Sequence, residues 1–273
     1  MHALNVRGEA IAHTSLGSSD ARPLVFLHGY ARHPLDYRLG LEALVACGWR
    51  VEAPFLFANH RLRRPPKSFW DCAALGWRAR EALIAAGRID ATTPVVGHST
   101  GGAVALALGA AGGGQHAAPS HIVAVNPVQP SRRRVLTFIL RSGWMNTKLA
   151  CGLAGDGRIG RQVLRESGAR FYANWFRDPC RGLALIEGLR GYRYDALARW
   201  FSGEVNPTTQ ARVLYGRGDE FYGDVQGLED GLTRVFRDVA VRELSDENSH
   251  EWLLVRPQRF ADEVEALLLS KAA

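Results

Sequence analysis

Cysteine is scarce in this chain, and long apolar runs are missing altogether. The four cysteines, Cys47, Cys72, Cys151 and Cys180, stand far apart, with no C-x-x-C pair among them. Such spacing predicts free thiols packed as small apolar groups and offers neither a zinc cage nor a disulfide frame. None sits where a nucleophile would, which argues against cysteine hydrolase chemistry. No stretch approaches the ~18 uninterrupted apolar residues that a membrane-spanning helix needs. The opening Met1-His2-Ala3-Leu4-Asn5-Val6-Arg7 has no basic flank leading into an apolar core, so it does not read as a signal peptide and the expected address is the cytoplasm. Repeats are lacking, as is low-complexity sequence beyond Gly112-Gly113-Gly114. Nucleic-acid motifs are lacking too, so the net charge of +7 does not by itself predict a nucleic-acid partner.

What is present is apolar side chain in quantity. Hydrophobic residues make up 47% of the 273, enough for one large core and too many for a disordered chain. Short apolar runs alternate with stretches of helical period, the pattern of a mostly parallel sheet flanked by helices. Leu4–Val6 and Ala10–His13 read as short opening strands, and Leu24–Leu27 as a strand buried on both faces. A helix follows from about Leu35 to Cys47, then a strand over Trp49–Phe55. Ser68 is placed to cap a helix that Gly87 stops. Pro94–Val96 leads directly into Gly97-His98-Ser99-Thr100-Gly101-Gly102, a helix is expected from Ser99 to about Ala111, and His121–Val125 is the next strand. Between 128 and 207 the rhythm breaks into a helical, arginine- and aromatic-rich segment. Strands resume at Ala211–Tyr215 and Val239–Leu244, and a helix from Pro257 to about Leu269 closes the chain. Strands of one sheet thus lie on both sides of the interruption. The organisation predicted is a core of residues 1–127 and 208–273 carrying a helical cap, 128–207.

Gly97-His98-Ser99-Thr100-Gly101 is a G-x-S-x-G pentapeptide at a strand-to-helix turn. A hydroxyl that must project above the sheet while the chain reverses needs neighbours without side chains, and the helix behind it aims free N–H groups at the site. A serine hydroxyl is a poor nucleophile at neutral pH and needs a histidine held by a carboxylate. Of the nine histidines, His98 is expected to pack inside and His28 to shape the loop after its strand. His2, His13, His33, His60, His116 and His121 lie near ends or in loops without a strand-end position. His250 follows the polar loop Ser245-Asp246-Glu247-Asn248-Ser249, beyond the last strand, where a base can reach across the carboxyl edge of the sheet. The acid should follow the preceding strand, and Gly216-Arg217-Gly218-Asp219 supplies Asp219, with Glu220, Asp224 and Asp246 as rivals. An oxyanion requires two N–H donors. These are expected from Thr100 and from Tyr30, in a loop where Arg32 or His33 is alternatively placed to reach the substrate.

Taken in order, Phe26-Leu27-His28-Gly29-Tyr30, Gly97-His98-Ser99-Thr100-Gly101-Gly102, Gly216-Arg217-Gly218-Asp219 and Asn248-Ser249-His250 resemble the α/β-hydrolase superfamily. Within it the chain is similar to small bacterial esterases, monoacylglycerol-lipase-like enzymes and the non-haem haloperoxidase group. It departs from many of these after Trp49–Phe55, where an Asp-x-Arg-Gly-x-Gly turn is replaced by Ala53-Pro54-Phe55-Leu56-Phe57-Ala58-Asn59-His60. The resemblance implies an α/β-hydrolase fold and a serine hydrolase that cleaves a carboxylic ester through an acyl-enzyme on Ser99, with His250 as base and Asp219 as acid. No metal or cofactor is called for, and the expected partner is a small ester or acyl compound. His28, Trp144 and Trp175 are candidates for the substrate pocket, with Phe171, Tyr172 and Phe176 alongside. Acyl transfer or thioester cleavage by the same triad, or a receptor with little turnover, are the alternative readings.

The charge is unevenly spread. Between Val128 and Val205 lie 14 cationic against 6 anionic side chains, while the rest of the chain carries 20 against 21. A positive cap over the entrance would favour anionic substrates or an anionic lipid surface. The kcat/KM for an anionic ester is therefore expected to fall steeply across a salt series, because screening at ~0.15 M already acts within about 8 Å. A neutral ester of similar size should barely respond. Parallel responses from the two esters would reduce the arginines to a solvated surface.

Overall fold

The computed structural model describes residues 2–6, 9–30, 32–56, 66, 68–111, 118–128, 161, 165, 205–219, 225–247 and 250–270. Among them, eight strands form one sheet: β1 (His2–Val6), β2 (Glu9–Leu16), β3 (Arg22–Leu27), β4 (Trp49–Pro54), β5 (Val95–His98), β6 (His121–Val125), β7 (Asn206–Gly216) and β8 (Phe236–Leu244). Their order is β1-β2-β4-β3-β5-β6-β7-β8. β1 and β2 run antiparallel to their neighbours, and β4, β3, β5, β6, β7 and β8 pair in parallel. This is the mostly parallel sheet with flanking helices that the sequence pattern predicts.

The apolar runs sit at the centre of the sheet because alternate residues feed two cores. Val25, Leu27, Val95, Ile122, Ala124, Ala211 and Val213 face one cluster. That layer holds α2 (Phe69–Ala85), α3 (Thr100–Ala110) and α4 (Val225–Thr233). Leu24, Phe26, Val96, Val123, Val125 and Leu214 face the other, covered by α1 (Arg38–Ala46), α5 (Trp252–Val255) and α6 (Pro257–Leu269). A strand with both faces covered has no polar side to show, which is why β3, β5 and β6 read as continuous apolar runs.

Local signals place the helix starts. Ser68 and Asp71 form a reciprocal capping box, Asp71 N–H donating to Ser68 Oγ at 3.1 Å and Ser68 N–H to the Asp71 carboxylate at 2.9 Å. The predicted helix from Leu35 is in fact a 3-10 turn, Pro34–Tyr37, running into α1. The sequence pattern did not mark α4 or α5, which are short. β7 begins at Asn206, so the core resumes two residues before the expected boundary at 208. The cap expected over 128–207 otherwise lies almost wholly outside the described residues.

α3 is buried on every side, so its sequence carries no amphipathic stripe. Its fit depends on Gly109, where a Cβ would overlap Ile122 Cδ1 and lie 2.9 Å from Phe236 Cε1 and 3.1 Å from Thr209 Cγ2. Gly109→Val should therefore lower stability by about 1–3 kcal/mol through overpacking, despite valine's better helix propensity. Urea unfolding of the purified variant measures this, and unchanged stability would show that the α3–sheet contact is looser than described.

Candidate active site

β5 ends at His98, and the chain turns so sharply into α3 that Ser99 takes φ 56° and ψ −120°. Left-handed φ in a residue with a side chain costs on the order of 1–3 kcal/mol and persists only where surroundings impose it. Here Ser99 N–H donates to Val125 O at 2.9 Å, and Ser99 O accepts from Ala103 N–H at 3.1 Å and Val128 N–H at 3.3 Å. The flanking glycines are required sterically. A Cβ on Gly97 would overlap the Gly101 carbonyl, and one on Gly101 would overlap the carbonyl of Leu27. Thr100 opens α3, so its N–H belongs to the first turn, whose donors lack helical partners.

His250 and Asp219 meet at the carboxyl edge of the sheet. His250 Nδ1–H donates to Asp219 Oδ2 at 2.9 Å, and both residues are buried. Their loops are stitched together by backbone, Arg217 N–H donating to Leu244 O at 3.0 Å and Gly218 N–H to Glu247 O at 3.1 Å. Burial disfavours the His250 imidazolium. The Asp219 charge and hydrogen bond, with the Glu251 charge, more than offset it and raise its pKa above 6.5. Of the rival acids, Asp246 is exposed and engaged with Arg259 at 2.5 Å, while Glu220 and Asp224 lie outside the described residues.

Two further histidines hold the scaffold in place. His98 is fully buried; its Nε2–H donates to the carbonyl of His250 at 2.9 Å, and its Nδ1 accepts from Tyr37 O–H at 2.8 Å. Tyr37 in turn accepts from Gly29 N–H at 3.0 Å. Asn126, with φ 44°, donates from Nδ2 to the same His250 carbonyl at 2.9 Å and accepts from Gly216 N–H at 3.2 Å. The His250 peptide is thus pinned to residues on either side of the elbow. Of the two places expected for His28, the loop after its strand and a substrate pocket, its bonds fit the first. It is fully buried, with Nδ1–H donating to Gly29 O at 2.7 Å and Nε2 accepting from Leu56 N–H at 2.9 Å. Its ring is committed to shaping the loop after β3. Burial lowers the pKa of His28 to about 3 and that of His98 to about 4.

Tyr30 is half-buried against the core, inside a turn closed by Arg32 N–H donating to Gly29 O at 3.2 Å. In the same loop Arg32 pairs with Glu251 at 3.1 Å, and His33 Nδ1 accepts from Leu35 N–H at 3.1 Å to cap the 3-10 turn. Asn126, Tyr37 and Glu251 were not singled out by the sequence pattern; Asn126, between a strand and Pro127, carried the nearest thing to a signal. Trp144 and Trp175, with the other cap aromatics, lie outside the described residues. Among the described residues no group of three or more His, Cys, Asp or Glu side chains is placed to hold a metal ion, and no helix is long and apolar enough to cross a membrane.

The model of the "Alpha/beta hydrolase family" matches residues 24–263. The chain belongs to the alpha/beta hydrolase family. Among solved structures it is similar to the 2-hydroxy-6-oxo-6-phenylhexa-2,4-dienoate hydrolase of Rhodococcus sp. strain RHA1, at 16% identity and TM-score 0.71, covering 98% of each chain. It is also similar to the enol-lactonase of Burkholderia xenovorans LB400, at 15% identity and TM-score 0.68 over 98% of this chain and 100% of that one. A carboxylesterase structure from the thaumarchaeon Nitrososphaera gargenis shares 17% identity and TM-score 0.65, over 98% and 97%. At these identities the likeness is one of fold. A search of curated proteins found no match.

The His250–Asp219 bond predicts a pH profile with a definite sign. A base works deprotonated, so kcat/KM for an ester substrate should rise with pH, with a midpoint above 6.5. Asp219→Asn should reduce the rate by roughly 10³–10⁴-fold, since the imidazole would lose its orienting acceptor. Asp246→Asn, at an exposed ion pair, should cost less than about five-fold. Equal losses would move the acid assignment away from Asp219.

Proposed function

We propose that this chain is a serine hydrolase cleaving a carboxylic ester, with Ser99 as nucleophile, His250 as general base and Asp219 as the carboxylate that orients it. The observation that carries the reading is the combination of a strained serine at a strand-to-helix turn with a buried histidine whose Nδ1–H is bound by a carboxylate. With Nδ1 carrying its proton toward Asp219, the basic lone pair of His250 is on Nε2, the tautomer a serine base requires.

Ser99 Oγ attacks the ester carbonyl while His250 Nε2 takes the hydroxyl proton. Charge that develops on the carbonyl oxygen is met by the backbone N–H groups of Thr100 and Tyr30, at the positive end of α3. The imidazolium, stabilised by Asp219, returns its proton to the departing alkoxide and leaves an acyl-enzyme. Water then repeats the sequence, with His250 again as base, to release the acid and regenerate Ser99. In this reading the segment 128–207 covers the site as a cap, and Trp144 and Trp175 contribute to its apolar wall.

Ser99→Ala should lower turnover of p-nitrophenyl esters by several orders of magnitude while leaving thermal unfolding close to that of the parent. A fluorophosphonate should label the parent at Ser99 and leave the variant unlabelled. A variant that keeps more than about a tenth of the activity would overturn the assignment.

A further inference from the structure

Glu251 follows His250 directly, and its carboxylate lies 3.1 Å from Arg32 Nη2, in the loop after β3. The Arg32 side chain is only 5% exposed and that of Glu251 16%. We propose that Arg32 and Glu251 are positioning residues that clamp the loop carrying His250 to the loop carrying Tyr30, while their opposite charges cancel at the imidazole. The proposal rests on the reading of His250 as base.

The clamp follows from connectivity. Arg32 N–H closes the turn onto Gly29 O, and Tyr30 lies within that turn. Beyond it, the loop is fixed by the His33–Asp36 capping box and by Tyr37, which accepts from Gly29 N–H. Holding the Arg32 guanidinium against Glu251 therefore holds the peptide expected to donate to the oxyanion at a constant place relative to the base. Net stability is a poor account of such a pair, because desolvating two charges offsets much of their attraction.

The cancellation follows from the charges around His250. Asp219 faces it from the loop after β7, Glu251 from its own loop and Arg32 from the loop after β3. His98, from β5, is neutral because burial holds its pKa near 4, and Tyr37 is neutral because burial pushes its pKa well above 10. Asp36 faces Arg32 and Tyr37 from the 3-10 turn. Asp246 and Glu247, on the His250 loop, are paired with Arg259. Burial opposes the Glu251 charge, but Arg32, with His98 and His250, holds its carboxyl at about 2, so the pair is fully ionised near neutrality. Glu251 favours the imidazolium and Arg32 disfavours it.

Removing either charge alone should then move the base in opposite directions. With histidine ring-labelled protein, an NMR titration reads His250 directly, and the pH dependence of ester kcat/KM reads it through chemistry. Glu251→Gln should shift both midpoints downward and Arg32→Met upward, each by about half a unit or more, the scale of one charge at this range. The double variant should return the midpoint to within about 0.3 unit of the parent, since the missing charges balance. Arg32→Lys keeps the charge but loses the guanidinium fork; it should leave the midpoint in place and lower kcat, separating clamp from field if Arg32→Met does not fold. Midpoints that stay fixed in Glu251→Gln and Arg32→Met, or move the same way, would overturn the proposal. The NMR arm does not depend on turnover, so a protein that proves not to be an esterase would fail in the kinetic arm alone.

Discussion

A serine side chain stands clear of a buried sheet only where the main chain doubles back within a residue or two, and that reversal presses backbone against backbone. At Ser99 the contacts run from Gly97 to Gly101 and from Gly101 to the end of β3. The first turn of the helix after the serine is consequently packed through Gly101 against the end of the strand that leads to Tyr30, with no room for a side chain between them. Ser99 N–H bonds to the last residue of β6, so three adjacent strands terminate at one turn. The helix that follows is sealed between α2 and the sheet, which leaves the turn no direction in which to relax. The positive φ of Ser99 is the local cost of this arrangement, on the order of 1–3 kcal/mol, and the surrounding bonds keep it from being released.

His250 is held through its main chain as much as its ring. Two side chains, those of His98 and Asn126, donate to the one carbonyl of His250, and Trp252, two residues on, is buried at the head of α5. Asp219 then needs to fix only the rotation of the imidazole. Asn126 is suited to its place because its left-handed φ is one that asparagine adopts more readily than most residues. Its amide ties His250 to Gly216, at the end of the strand that leads to Asp219. His250, the strand leading to Asp219 and the strand leading into Ser99 are thus linked by hydrogen bonds apart from the one between His250 and Asp219.

Strand and helix order was legible because each central strand is buried on both faces and each long helix has a chemical start or stop. Ser68 with Asp71, Gly87 and Pro257 mark their boundaries by local bonding that a short window of sequence contains. Ser99, Asp219 and His250 stand out in the sequence as candidates for a related reason: each follows a strand end in a stretch whose composition suits a turn. What was not legible depends on contacts between distant parts of the chain. Tyr37 and His98 are 61 residues apart, and Asn126 and His250 are 124 apart. Nothing in the neighbourhood of Asn126 or Tyr37 announces a partner. His28 drew two readings, loop-shaping and pocket-lining, because a histidine at a strand end has the same local sequence whether it faces substrate or its own backbone; its burial and its bonds to Gly29 and Leu56 fit the first.

The three histidines near the site show how one fold gives the same side chain different work. Burial alone lowers the pKa of each, since an imidazolium loses more hydration than a neutral ring. His28 and His98 receive their main polar contacts from backbone groups and a phenol, none of them anionic, and fall to about 3 and 4. His250 has the Asp219 carboxylate on Nδ1 and rises instead. Of these rings only the third is held above the ordinary histidine value, while the other two are neutral at that pH. A scaffold histidine that took up a second proton would turn an accepting nitrogen into a donor: His98 would lose its bond from Tyr37, and His28 its bond from Leu56. With burial holding their pKa values near 3 and 4 while that of His250 is raised above 6.5, those bonds keep their direction where His250 titrates. Protonation of His250 is in this way kept apart from the hydrogen bonds that hold it in position.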